Sequence, residues 1–168
     1  MRLGKKIPAV FKAGLCIFLL AGLASCQGSL TSYRGKPVEA KNRFDLLEGG
    51  PHDGDWQTRD IRVEFQYLRE QQDLRISGLV KPRDYLLHYN IMKSFFLSLH
   101  FVDAEGKVLV DEAIMSAGYR VEMPDQMAFK ANLKIPPDST AIAFSYRGRA
   151  MISGDDSRGN GWEFWQGP

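Results

Sequence analysis

Apolar and polar residues alternate in short stretches from residue 61 onward, and this pattern constrains the fold more than any other feature of the chain. Ile61, Val63, Phe65 and Tyr67 are separated by single polar residues. A period of two places every second side chain on one face of a β-strand. We predict seven such strands, at residues 61–67, 74–80, 95–102, 107–114, 119–123, 127–135 and 141–147, with a short last strand at Trp162–Trp165.

Turn signals separate these strands at the intervals of roughly 8–12 residues that are typical of an antiparallel β-sandwich. The residues Asp103-Ala-Glu-Gly106 predict a type I turn with glycine in the left-handed position, and therefore a hairpin between the strands on either side. We expect an all-β fold that is immunoglobulin-like in architecture only, because the Cys-Trp-Cys pattern of true immunoglobulin domains is absent. A small closed barrel is the alternative.

Two segments depart from the strand pattern. Tyr85, Tyr89 and Met92 have near-helical spacing, which predicts one short helix near residues 83–93. The stretch Gly-Gly-Pro-His-Asp-Gly-Asp at 49–55 is rich in turn-forming residues and is predicted to be a loop.

The first 25 residues have a different character. Four cations and no anion stand in residues 1–12, and a block of apolar residues follows at 13–24. About a dozen residues are too few to span a hydrocarbon core, which needs roughly 20. A basic segment, a short apolar block and small residues after it are typical of a secretory signal peptide.

The apolar block ends in Leu23-Ala24-Ser25-Cys26, which resembles the lipobox of bacterial lipoproteins. The resemblance covers only the first 26 residues. It implies that the Cys26 sulfur receives a diacylglyceryl group, that cleavage falls before Cys26, and that the new amino group is acylated. Gln27 in place of aspartate implies sorting to the outer membrane of a diderm bacterium. Cleavage after an alanine, with Cys26 left as a free thiol, is the alternative.

This interpretation divides the chain into a signal peptide at 1–25, a lipidated cysteine with a flexible polar tether at 26–43, and a β-sandwich domain at 44–168. Loss of four cations and no anion turns the whole-chain net charge of +2 into about −2. Nothing in the charge pattern indicates a nucleic-acid partner. Cys16 lies in the removed segment and Cys26 is capped, so the remaining chain offers no thiol for catalysis or for a zinc site.

Catalytic and metal-binding patterns are weak. His100 stands in the middle of a predicted strand, which favours a sheet-surface residue over a catalytic base. The sequence His-Asp-Gly-Asp at 52–55 contains oxygen ligands, but a solvated turn is the favoured interpretation. The loop at 154–161 has Arg158 at position 3 of an EF-hand alignment and lacks the glutamate at position 12. We therefore predict no metal and no cofactor.

The chain ends in Gly-Trp-Glu-Phe-Trp-Gln-Gly-Pro. In a strand, Trp162 and Phe164 share one face and Trp165 lies on the other. The favoured interpretation places Trp162 and Phe164 in the core and Trp165 over an edge. The competing interpretation makes Trp162, Trp165 and Trp56 binding residues for a glycan.

The sequence supports three functions, in order of preference. The first is a membrane-anchored envelope lipoprotein whose β-sandwich is a non-catalytic binding or structural domain for an envelope partner. The second is a glycan-binding module that uses Trp162, Trp165 or Trp56. The third is a hydrolase whose residues meet only in the folded chain.

Overall fold

The computed structural model describes residues 32–118, 121–152 and 161–168. The compact unit runs from Tyr33 to Pro168. Its described residues form ten strands, one α-helical turn, α1 (Asp84–Leu87), and one 3-10 turn at Ala40–Asn42. In this part of the chain no helix is both long and apolar enough to cross a bilayer. The strands are β1 (Phe44–Asp45), β2 (Gly49–Gln57), β3 (Ile61–Glu70), β4 (Asp73–Pro82), β5 (Ile91–Val102), β6 (Val108–Ala117), β7 (Val121–Glu122), β8 (Met127–Lys134), β9 (Ala141–Met151) and β10 (Gly161–Gln166).

The strands form two antiparallel sheets. The six-stranded sheet has the order β1-β9-β5-β6, with β10 also paired to β9 and β7 to β5. The four-stranded sheet has the order β2-β3-β4-β8. The neighbours β4 and β8 lie in one sheet while β5 and β9 lie in the other, so the two pairs interlock as the B–E and C–F pairs of an immunoglobulin sandwich do. The predicted all-β, immunoglobulin-like architecture is confirmed.

The core lies between the two sheets and follows from the period-two pattern. Phe95, Leu97 and Leu99 of β5 are fully buried, as is Val63 of β3. Phe144 of β9 lies 4.9 Å, between ring centroids, from Phe65 of the opposite sheet. Burial of such side chains stabilises the fold by about 1.5–3 kcal/mol each. The two sheets are therefore held together by side chains that the alternation places inward.

Two local predictions are confirmed. Residues 103–106 form the turn between β5 and β6, where the Gly106 amide donates to the Asp103 carbonyl and Gly106 has a φ of 81°. The Lys107 amide also donates to the Asp103 side chain at 2.7 Å. The short helix predicted near 83–93 is the single turn α1 at Asp84–Leu87.

The loop predicted at 49–55 is wrong. These residues belong to β2, the edge strand that pairs with β3. Glycine and proline are tolerated at an edge, where one side of the backbone needs no partner. Gly54 also has a packing role, because a Cβ there would lie 2.1 Å from the Phe65 ring.

Residues 33–43 belong to the sandwich and not to a tether. The segment at 33–38, which we call the strap, pairs with the start of β6 through the bridge between Pro37 and Lys107. Its Val38 is 2% exposed and packs with Val102, Val108 and two alanines of β9. The domain therefore begins at Tyr33, eleven residues before the boundary that its polar sequence suggested.

Candidate functional site

The outer face of the six-stranded sheet presents two exposed aromatic side chains with an arginine between them. Trp165 on β10 is the register partner of Arg147 on β9, and Arg147 is in turn the partner of Phe96 on β5. Trp165 is 68% exposed and Phe96 is 49% exposed. Neighbouring strands lie about 4.8 Å apart, so these three residues, which we call the aromatic row, span about 10 Å.

Phe164 fixes β10 from the inner side. It lies opposite Gly148, where a Cβ would come within 2.2 Å of the Phe164 ring, so glycine is required for this close approach. The ring also lies 6.2 Å from Phe95 and 6.1 Å from Tyr146, measured between centroids. Because successive side chains alternate, burial of Phe164 turns Trp165 outward.

The three tryptophans predicted to bind a glycan do not come together. Trp56 is 2% exposed and stacks on Phe144 with ring centroids 5.7 Å apart, so it is a core residue and not a binding residue. Trp162 is 41% exposed, which differs from the favoured core interpretation, and it lies on the opposite side of β10 from Trp165. A flat ligand cannot stack on both indoles at once. Trp162 and Trp165 are therefore separate positions for a glycan contact, and Trp165 is the more exposed of the two.

A chain of side-chain hydrogen bonds lies beside the aromatic row, beneath the strap. His100 Nδ1 lies 2.7 Å from Asp111 Oδ1, and His100 Nε2 lies 2.7 Å from Ser145 Oγ. The register of β6, β5 and β9 brings the three residues together. The order carboxylate, imidazole, hydroxyl is that of a serine-hydrolase triad. Sequence reasoning noticed His100 but missed both partners, since they meet only through strand pairing.

The strap seals this triad. The Tyr33 ring packs edge-on against His100 at 5.3 Å, and the Tyr33 amide donates to Asp111 Oδ2 at 2.9 Å. His100 is 1% exposed and Ser145 is 6% exposed. Burial lowers the pKa of His100 despite the opposing effect of Asp111, so the imidazole is neutral near pH 7. With Nδ1–H donating to Asp111, Nε2 accepts the Ser145 hydroxyl.

A second buried polar cluster closes one end of the sandwich. The Asp60 carboxylate accepts hydrogen bonds from Arg59 Nε at 2.8 Å, from Tyr146 Oη at 2.6 Å and from the Tyr85 hydroxyl. Burial raises the pKa of Asp60, but these hydrogen bonds outweigh that effect and hold the pKa below its ordinary value. Burial and the Asp60 carboxylate together raise the pKa of Tyr85 to about 12. The cluster is an ionised carboxylate neutralised by its neighbours.

A shallow cleft of about 420 Å³ adjoins this cluster at the β10 edge. It is lined by Arg59, Asp60, Glu163, Trp165 and Gln166. The cleft combines one exposed indole with charged and amide groups, so it extends the aromatic row toward the edge of the sheet. Trp165 is the residue that the two features share.

The side chains of the His-Asp-Gly-Asp stretch at 52–55 on β2 contact side chains of β3. The His52 ring lies 5.1 Å from the Tyr67 ring, Asp53 accepts a hydrogen bond from Gln66, and Asp55 binds Arg62. Among the described residues, no group of three or more His, Cys, Asp or Glu side chains is placed to hold a metal ion. Cys26 and residues 153–160, which include most of the loop compared above with an EF-hand, lie outside the described residues.

Comparison of the chain with protein-family models, with curated proteins and with solved structures found no match. Function therefore has to be inferred from the sequence and from the geometry of the aromatic row, the sealed triad and the cleft.

Proposed function

We propose that the protein is a membrane-anchored envelope lipoprotein whose β-sandwich is a non-catalytic binding domain, and that its binding surface is the aromatic row. The observation that supports the binding surface is the exposure of Trp165 and Phe96 on one sheet face, with Arg147 between them. Exposed apolar groups that are contiguous and rimmed by polar residues are typical of interaction sites. The lipobox resemblance at Leu23–Cys26 supports the anchor and the address, with the outer membrane favoured by Gln27.

The anchor is tested by metabolic labelling with an alkyne analogue of palmitate. We expect the wild-type chain to be labelled and Cys26→Ala to be unlabelled. Cys16→Ala is the matched control, because Cys16 lies in the segment predicted to be removed, and this variant should be labelled like the wild type. Equal labelling of the Cys26→Ala variant and the wild type would refute the anchor.

The binding surface is tested by a photo-crosslinking amino acid placed at position 96 or 165 in cells. We expect crosslinks to an envelope component from both positions. A crosslinker at Lys130, which is exposed on β8 of the other sheet, is the control and should give none above background. If a crosslinker at position 130 reacts as strongly as one at position 96 or 165, the aromatic row is not the binding surface.

A second candidate function is serine-hydrolase chemistry at Ser145, favoured by its hydrogen bonds to His100 and through it to Asp111. A fluorophosphonate probe tests it directly: Ser145 Oγ attacks phosphorus, fluoride leaves, and His100 Nε2 takes the hydroxyl proton. Because Tyr33 covers the triad, Tyr33→Ala should increase labelling. Ser98→Ala, at the register partner of Ser145, is the control and should label as the wild type does. Absence of Ser145 labelling in both backgrounds removes the candidate.

A further inference from the structure

We propose that the aromatic row lies against the phospholipid headgroups of the membrane that holds the anchor, so that the sandwich lies on the bilayer with the outer face of its six-stranded sheet down. The proposal rests on the proposed lipid anchor at Cys26 and names the partner of the proposed binding surface. Three observations support it: the length of chain between Cys26 and the domain, the place where that chain joins the fold, and the chemistry of the face found there.

The chain between the anchor and the domain is short. Six residues separate Cys26 from Tyr33, the first residue of the compact unit. Even fully extended, the seven steps from Cys26 to Tyr33 span at most about 25 Å. A unit of the length Tyr33–Pro168 has a diameter of roughly 40 Å. The tether is thus shorter than the domain, and the side of the domain that carries Tyr33 has to stay near the membrane.

Tyr33 joins the fold beside the aromatic row. Its ring packs on His100 of β5, and the backbone of Gly167 lies so close that an added Cβ would be 3.1 Å from Tyr33 Cε1. Trp165 is two residues from Gly167 and Phe96 is four residues from His100. At about 3.3 Å per residue, these separations are about 7 Å and 13 Å along the strands. Both aromatic side chains therefore lie within a short distance of the point nearest the anchor.

The face at this point suits a phospholipid interface. Tryptophan is favoured at the level of the headgroups, where its apolar ring and its N–H each find a suitable environment. The guanidinium of Arg147, between the two aromatic rings, is a bidentate donor for phosphate. Arg149 lies on the same face of β9, with Glu163 as its register partner on β10. Lys36 of the strap, whose ammonium lies 5.3 Å from the centre of the Tyr33 ring, adds positive charge near the tether.

Among the described residues, the outer face of the four-stranded sheet carries no large exposed aromatic side chain. Asp53, Asp55 and Glu64 of the four-stranded sheet are occupied by Gln66, Arg62 and Lys81. Anionic headgroups repel such carboxylates, and removing the ion pairs from water has a cost. Two aromatic rings and one arginine bind a bilayer only weakly by themselves, but a covalent anchor keeps them at high local concentration. The face beside Tyr33 is therefore the one we expect on the bilayer.

The test uses the lipidated full-length protein in vesicles of phosphatidylethanolamine and phosphatidylglycerol, with or without bromine on the acyl chains. Bromine quenches tryptophan only at close range. We expect the brominated vesicles to lower the fluorescence of the wild type. Trp165→Phe should lose most of that quenching, while Trp162→Phe, which removes an indole from the opposite side of β10, should retain it. Arg147→Glu should weaken the quenching, and Lys130→Glu on the other sheet should not.

Flotation of the same vesicles separates this proposal from the anchor. If the protein fails to float with the vesicles, the anchor and the orientation are both refuted. If it floats but its fluorescence is the same with and without bromine, the anchor stands and the orientation is refuted. Quenching that depends on Trp162 and not on Trp165 also refutes the orientation. If bromine has no effect but peptidoglycan fragments change the fluorescence of Trp165, the partner of the aromatic row is a glycan and not the bilayer.

Discussion

The two sheets of the sandwich share one core but have unlike outer faces. On the four-stranded sheet, Arg62 binds Asp55 at 2.9 Å and Glu64 at 3.1 Å, and Lys81 binds Glu64 at 2.6 Å. Each of these charges has a partner across the strands, with water beside it. A face of this kind is well solvated as it stands.

The outer face of the six-stranded sheet is divided between two arrangements. The strap covers one part, where His100 and Ser145 are buried with Val102, Val108 and Ala143. The other part is the uncovered aromatic row. Both parts of this surface combine apolar with polar side chains, but the chain covers one part with its own strap, whereas Trp165 and Phe96 in the other part stay exposed.

The alternation along β10 gives the sharpest test of this division. Phe164→Ala should lower the free energy of unfolding by about 3–5 kcal/mol, because a buried ring is removed from its place over Gly148. Trp165→Ala, one residue away on the outer face, should change it by less than about 1 kcal/mol. Urea denaturation followed by circular dichroism measures both. Similar losses for the two variants would mean that Trp165 serves packing rather than binding.

Removal of His100 tests the covered part of the face. His100→Ala should cost about 2–3 kcal/mol, because Ser145 and Asp111 lose their common partner and a cavity forms beneath Tyr33. Ser98→Ala on the same strand is the control and should be close to neutral. Hydrogen exchange of the Gly35 and Val38 amides should rise in His100→Ala alone. Unchanged exchange would show that the strap does not depend on the imidazole.

The pH dependence of the free energy of unfolding should show that His100 is buried. The folded-state pKa of His100 lies below its ordinary value of 6.5, so the unfolded chain binds a proton more readily than the folded one. The contribution of neutral His100 to the free energy of unfolding is complete above pH 6.5. It is lost as the pH drops from there toward the folded-state pKa. Denaturation at about pH 7.5, 6.5 and 5.5 should show this fall in the wild type. His100→Asn should reduce it, and an identical fall in that variant would assign it to other groups.

The smallest effect is expected on the charged face. Arg62→Ala removes the ion pairs with Asp55 and Glu64, although Glu64 keeps Lys81. Exposed ion pairs contribute about 0–1 kcal/mol, and salt screens them. We expect a loss below about 1 kcal/mol that shrinks further in roughly 0.5 M sodium chloride. A loss as large as that of His100→Ala would contradict the contrast between the two faces.

Short-range sequence patterns predict the parts of the fold that depend on residues close together in the chain. The β5–β6 hairpin was predictable because alternation and an Asp-x-x-Gly turn agree at residues 103–106. The placement of Phe164 inward and Trp165 outward followed from the same period. Trp162 was misjudged because it pairs with Ala150 near the end of the strands, where an inward-facing position is no longer fully covered.

The remaining features depend on contacts between distant residues. β2 reads as a loop because its glycines and proline satisfy turn preferences, and only pairing with β3 makes it a strand. The strap reads as a tether because its sequence is polar, although its Val38 is buried against the sheet. Asp111 lies opposite His100 across the β5–β6 hairpin, but Ser145 comes from β9, 45 residues further along the chain, so no local spacing rule could have brought all three together. The signal that was available is a histidine within the apolar run Phe95–Val102.

The strap also determines how the domain responds to a pull on its N-terminus. The Gly35 amide donates to the Val108 carbonyl, the Val108 amide to the Lys36 carbonyl, and the Val38 amide to the Gly106 carbonyl. Tension applied at Tyr33 acts first on its amide hydrogen bond to Asp111 of β6 and then on these three bonds. We therefore expect the strap to detach before the sheets separate, and its detachment would expose His100 and Ser145.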